Sequence, residues 1–178
     1  MPKSTDDTPK LRARPLPAPL HIVLVEPEIP PNTGNIARLC GATGSVLHLV
    51  GKLGFRIDEQ SVRRAGVDYW HLVDVRQHAD FDAFTLHFAS ASPTGRFFLF
   101  SGLGAKSYLR ESFRAGDALV FGKESVGLSQ ELLDRFPAQV VAIPVIGRVR
   151  SLNLANAAGI ALYEALRQTG VLDETHLG

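Results

Sequence analysis

Three stretches of the chain set polar side chains among glycines at spacings that suit chemistry. PNTGNIARLC puts Asn32, Asn35 and Arg38 on adjacent turns of one helix. FGKESVGL flanks Glu124 with Gly122 and Gly127. The third, Ile143 to Gln168, leaves an apolar strand end, crosses a loop holding Gly147, Arg148 and Arg150, and reaches Ser151, Leu152 and Asn153. Amides, a guanidinium, a carboxylate and a hydroxyl can together grip a polar ligand, orient it and stabilise developing charge. Each stretch also has an ordinary explanation. Asn32 and Ser151 can be helix caps, Gly122 and Gly127 turn residues, and Glu124 a solvated loop carboxylate. Their joint appearance after successive strands is what favours a site.

These residues need elements to hold them. Leu154, Ala158, Ala161, Leu162 and Ala165 recur at the spacing of a buried helix face, so a long helix is expected there, with Ser151 as its cap. Strands are expected at His21 to Val25, Val46 to Val50, Leu72 to Val75, Phe97 to Phe100, Ala118 to Phe121 and Gln139 to Ile143. Helices are expected from Asn32 to Thr43, stopped by Gly44, and over Gln60 to Ala65, Phe81 to Phe88 and Ser129 to Phe136. Short strands that are apolar throughout and alternate with helices indicate an α/β fold, a six-stranded mostly parallel sheet with helices on both faces. Ligands of such sheets collect beyond the carboxyl ends of the strands. Phe100, Phe121 and Ile143 each end a strand, so the loops after them should converge.

At 178 residues and 45% hydrophobic, the chain suits one domain, expected over 20–170. Residues 1–19 hold five prolines, four basic residues and two aspartates and read as a flexible tail, and residues 171–178 are expected to form a C-terminal tail. The net charge of +1 announces no nucleic-acid partner in bulk, so any RNA grip must come from local clusters such as Arg63 with Arg64, or Arg148 with Arg150. The lone Cys40 excludes an internal disulfide and a thiolate zinc cluster. The six histidines offer no helical pair spaced to grip a metal, and no metal is expected. No apolar run approaches bilayer length and the start lacks a secretion-signal core, so a cytoplasmic protein away from the membrane is expected.

Two tempting motifs fail. Gly102 to Ser107 lacks the spacing of a phosphate loop. Gly122 to Gly127 has one residue too many before its serine for a nucleophile elbow. No strand leads into the dinucleotide glycine pattern.

In combination, EPEIPPNTGNIARLC, RRAGVDYW, FGKESVGL and RSLNLANA resemble the SpoU (TrmH-like) branch of the SPOUT RNA 2'-O-methyltransferases, in order and spacing, from about His21 to Gln168. The likeness is greatest to its small single-domain members, which implies 2'-O-methylation of the wobble nucleotide (cytidine or uridine 34) of tRNA. Another tRNA or ribosomal RNA nucleotide, or a non-catalytic RNA-binding knot protein, are the alternatives. The resemblance also implies a C-terminal deep trefoil knot, contrary to the usual rule, and a homodimer with the last helix in the interface. Ala155, Ala158, Gly159 and Ala161 would permit close helix approach there, and Gly159 costs about 1 kcal/mol of helix propensity relative to alanine.

What the resemblance implies for the site is specific. S-adenosylmethionine would be held in the knot loops at Phe100, Gly122, Ile143, Ser151 and Leu152, largely by main-chain groups. Arg38 stands at the family's catalytic position. A guanidinium stays protonated in almost any protein site, so a phosphate clamp that stabilises the developing alkoxide suits Arg38 better than a general base. The proton would then leave to the phosphate or to water. Asn32 would orient Arg38 or the ribose, while Glu124, Ser151 and Asn153 hold the cofactor's amino-acid end and the loops. Arg63, Arg64, Arg150 and Arg148 would meet phosphates, and Tyr69, Trp70 or Tyr163 would stack on an unpaired base.

Overall fold

The computed structural model describes residues 9–55 and 70–178. Its centre is a sheet of six strands, β2 (His21–Val25), β3 (Val46–Val50), β4 (Val75–His78), β5 (Phe97–Phe100), β6 (Ala118–Phe121) and β7 (Val140–Val141). They lie in the order β4-β3-β2-β6-β5-β7, and every pairing is parallel. The switch of direction falls between β2 and β6, which is where a doubly wound sheet opens a crevice at its carboxyl edge.

Among the described residues four helices cover it, α1 (Pro30–Thr43), α2 (Phe81–Ala91), α3 (Gln130–Arg135) and α4 (Leu154–Gln168); the helix expected over Gln60 to Ala65 lies outside the described residues. One core joins Ile22, Leu24, Leu47 and Leu119 of the sheet to Ile36 of α1 and Leu162 of α4. The other joins Val23, Leu99 and Val120 to Phe84 and Phe88 of α2 and Leu132 of α3. Both faces of the sheet are therefore dry, which is why β2, β3 and β6 read as apolar runs interrupted only by His21 and His48.

Three expectations shift. The third strand is Val75–His78, and Trp70–Leu72 is a 3-10 turn. As the outermost strand β4 is only half-buried, so its sequence VRQH lacks the apolar run that located the others. The last strand is the two residues Val140–Val141, because Pro137–Gln139 forms a turn before it. Finally, parts of both expected tails are ordered. Residues Leu11–Ala13 (β1) pair antiparallel with Thr175–Leu177 (β8). Such a ribbon satisfies backbone groups and needs no apolar core, so composition could not announce it.

The end of β7 is enclosed by a loop that precedes it. Ser101 N–H donates to Val141 O at 2.9 Å on one edge. On the other, Ala142 N–H donates to Lys106 O at 2.8 Å and Tyr108 N–H to Ala142 O at 3.0 Å. Gly104 closes over this strand, since a Cβ on it would stand 2.8 Å from the Val141 carbonyl carbon. A C-terminal segment threaded through an earlier loop needs an enclosure of this kind.

Under α2 the fold gathers histidines that are remote in sequence. His21 Nδ1 lies 2.9 Å from His48 Nε2, and His48 Nδ1 lies 2.8 Å from His78 Nε2. Phe84 and Phe88 set ring edges against them. Arg76, ion-paired with Asp74 at 2.6 Å, donates to His87 Nε2 beside the group. Burial, reinforced by Arg76, pushes His21 down to about 4; burial, with His21 next, takes His48 to about 2, and burial also lowers His78. No group of three or more His, Cys, Asp or Glu among the described residues is arranged to hold a metal.

Candidate active site

The helix α1 begins without a cap of its own. Ile29 at its N-cap offers no side-chain acceptor, Pro30 and Pro31 occupy the first turn, and no acidic residue lies there. The missing carboxylate arrives from the loop after β6. Glu124 Oε2 accepts from the Glu28 amide at 2.8 Å, and Oε1 accepts from the Ile29 amide at 3.2 Å and from Asn32 Nδ2 at 3.0 Å. An anion at the positive end of a helix is favoured by the macrodipole as well as by these bonds.

Asn32 continues the chain of bonds. Its Oδ1 accepts from Asn153 Nδ2 at 3.0 Å, and Asn153 Oδ1 accepts from the amides of Ala155 and Asn156 at 2.9 and 3.3 Å. The carboxylate can only accept, so Asn32 must turn its NH2 toward Glu124 and its oxygen toward Asn153. Asn153 must in turn point its oxygen at α4. One ordered chain thus links the N-termini of α1 and α4 to the loop after β6. Asn153, rather than Ser151, caps α4, and Ser151 and Leu152 lie outside the helix.

The hairpin that carries Glu124 depends on its glycines. A Cβ on Gly122 would run into the Gly127–Leu128 peptide, and Gly127 has φ +76°. Lys123 and Gly127 exchange backbone hydrogen bonds of 3.2 and 2.9 Å. Gly122 is thus required by close approach, and Gly127 by its left-handed backbone.

A model of the SpoU rRNA methylase family matches residues 19–163. The chain belongs to that family. Among its relatives is the tRNA (cytidine(34)-2'-O)-methyltransferase of Burkholderia pseudomallei (strain 1106a), 47% identical over 151 residues that span 84% of this chain and 96% of the relative. A solved structure concerned with the 2-OH methylation of C/U34 on tRNA superposes with a TM-score of 0.78 at 48% identity, covering 86% of this chain and 97% of the other. The AdoMet-bound rRNA methyltransferase of Sinorhizobium meliloti superposes with a TM-score of 0.70 at 26% identity, covering 88% of this chain and 61% of that one.

As a SpoU methylase the chain is an RNA ribose methyltransferase, and its motif residues can be placed one by one. Asn32, Glu124 and Asn153 are joined by hydrogen bonds. Arg38 stands on the exposed stripe of α1 with Pro31 and Asn35, about 9 Å along the axis from Asn32. Phe100 is buried, stacked on Phe121 with centroids 4.8 Å apart, so only its main chain can meet a ligand. Gly122 is buried, Ile143 and Leu152 are half-buried, and Ser151, Arg148 and Arg150 are exposed. Tyr163 is half-exposed on α4, Trp70 packs against the first core, and Arg63, Arg64 and Tyr69 lie outside the described residues.

The small residues of α4 divide. Ala158 and Ala161 are fully buried against this chain's own core, whereas Gly159 faces open space. Sequence reasoning missed Glu26 and Glu28, which meet Lys123 and Ser125 across the site. Their signal was only a pair of carboxylates before a proline turn. No helix of the described residues is long and apolar enough to cross a membrane.

Proposed function

We propose that this chain methylates the ribose 2'-oxygen of nucleotide 34 of tRNA, using S-adenosylmethionine, as a cytoplasmic homodimer. The observation that carries the reading is the bonded chain Asn153–Asn32–Glu124, which brings all three motifs to the carboxyl edge of a SpoU sheet. The relative that acts on cytidine 34 supports the choice of substrate. The exposed Ile160 on α4 supports a second copy there. Ribosomal RNA is the second reading, favoured by the family's description and by the Sinorhizobium neighbour.

The residues present suit the methyl donor. Gly102, Gly127 and Gly147, one in each loop after β5, β6 and β7, have nothing within 4 Å of where a Cβ would stand. The same loops expose the apolar side chains Leu103, Val126, Ile146 and Val149, which are open to contact with a purine ring. When bound, S-adenosylmethionine supplies a methyl group activated by a sulfonium. The main chain at Phe100, Gly122, Ile143 and Leu152, with Ser151, would hold it. Arg38 clamps the nucleotide's phosphate and stabilises the alkoxide as the ribose hydroxyl loses its proton to that phosphate or to water. Asn32 orients the ribose, and Glu124 and Asn153 hold Asn32. Arg63, Arg64 and Arg150 neutralise flanking phosphates, and Tyr163 stacks on a base.

Incubation with labelled S-adenosylmethionine and bulk tRNA, followed by nucleotide mapping, should find label on the ribose of nucleotide 34. Label in ribosomal RNA alone would eliminate this reading. Arg38→Ala should reduce transfer by a factor on the order of 10³ while leaving cofactor affinity within about threefold. Equal loss of both would refute the role given to Arg38.

A further inference from the structure

The turn between β2 and α1 and the hairpin after β6 hold one another by exchanged carboxylates. Glu124 of the hairpin takes the Glu28 and Ile29 amides of the turn. In return, Glu28 Oε2 accepts from the Ser125 amide at 3.0 Å, and bonds from the Ser125 hydroxyl and amide keep the Glu28 carboxyl below its usual range. Beside them Lys123 Nζ meets Glu26 Oε2 at 2.6 Å. The turn is also closed from behind. Gly54 N–H donates to Pro27 O at 3.0 Å, and a Cβ on Gly54 would stand 2.9 Å from Glu28 Cα.

We propose that Glu28 is a positioning residue for methyl transfer: its carboxylate fixes the Gly122–Gly127 hairpin against the N-terminus of α1. The main chain at Gly122 and the face of α1 that carries Arg38 are thereby held in one register. This rests on the reading of the site given above. Glu28 makes no bond to Asn32 or Asn153, so its effect runs through the hairpin. Being exposed, its hydrogen bonds contribute little to global stability. Misplacing reacting groups by a fraction of an ångström is costly to rate, and there the loss should appear.

The test is a set of Glu28 variants in the full-length protein, assayed with S-adenosylmethionine and tRNA. Glu28→Ala should lower kcat about tenfold or more with both KM values within about threefold. Its Tm should stay within about 2 °C of the parent. Glu28→Gln, whose amide oxygen still accepts from Ser125, should recover at least about half of kcat. In the unaltered protein the Ser125 amide should exchange with deuterium about tenfold or more slowly than exposed neighbouring amides, and Glu28→Ala should abolish that protection. Unchanged kcat in Glu28→Ala, failure of Glu28→Gln to recover it, or an unprotected Ser125 in the unaltered protein would each overturn the proposal. If the unaltered protein transfers no methyl to nucleotide 34, the functional reading fails, while the exchange measurement still decides whether Glu28 holds the hairpin.

Discussion

Two polar chains cross this molecule, one at each side of the sheet, and they differ in kind. Asn153–Asn32–Glu124 runs along the open carboxyl edge and ends on a charged group that accepts three hydrogen bonds. His21–His48–His78 runs beneath α2, with His48 fully buried. In the first, a fixed acceptor and fixed donors leave only one orientation for each amide. In the second, each neutral imidazole is donor at one nitrogen and acceptor at the other, so the chain can be written in either direction. In the proposed reaction the edge chain orients groups for chemistry on one preset arrangement. The buried chain satisfies polar atoms within the core and has no part in the proposed reaction.

That contrast can be broken most sharply at Asn32. Asn32→Ala removes the middle of the edge chain, and the folded protein should lose about 10²-fold or more in kcat, with stability falling by about 1–3 kcal/mol as its two hydrogen bonds, to half-buried Glu124 and exposed Asn153, are lost. A variant with near-normal turnover would mean that the edge chain is structural only. His48→Leu is the counterpart. It should lower stability by about 1–3 kcal/mol, because His21 and His78 each lose a partner, yet leave kcat of the folded protein unchanged.

Acid distinguishes the two chains next. His21 and His48 titrate below 6.5 in the folded protein, His21 at about 4, so the unfolded chain binds more protons below 6.5. Their contribution is complete above 6.5 and declines as the pH falls from 6.5 toward 4, by roughly 1.4 kcal/mol per unit of difference as an upper measure. Asp74, Arg76 and His87 face the same cluster and modulate it. Urea unfolding between pH 7 and 4.5 should show this decline, and His48→Leu should flatten it. A slope unaltered by His48→Leu would remove the histidines as its cause. The smallest effect is expected at Ser151. Since Asn153 caps α4, Ser151→Ala should change stability by less than about 0.5 kcal/mol, whereas Asn153→Ala should cost about 1 kcal/mol. Equal losses, read by thermal unfolding, would return the cap to Ser151.

Much of the scaffold was legible because it obeys local rules. β2, β3, β5 and β6 are apolar runs at their expected positions, Ser129 caps α3, and Gly44 ends α1 in a left-handed conformation. β4 was misplaced because an edge strand need not be apolar. The cap of α4 was misassigned by two residues because Ser151 and Asn153 are both good caps, and only the Asn153 bonds to Ala155 and Asn156 choose between them. For the site, residue types in three motifs pointed to Asn32, Glu124 and Asn153 but not to their order of bonding. Glu28 carried no local mark, since its partner Ser125 is remote in sequence.

By itself, then, the sequence determined the alternation of strands and helices, the glycines of the hairpin after β6 and the identity of the polar groups, because these follow from side-chain period, backbone freedom and chemical type. Only the tertiary structure decided which polar groups meet. Asn32 and Asn153, or His21 and His48, come within 3.0 Å because sheet order and crossovers bring distant segments side by side. Hydrogen bonds act over about 3 Å, and no pattern along one chain measures that distance.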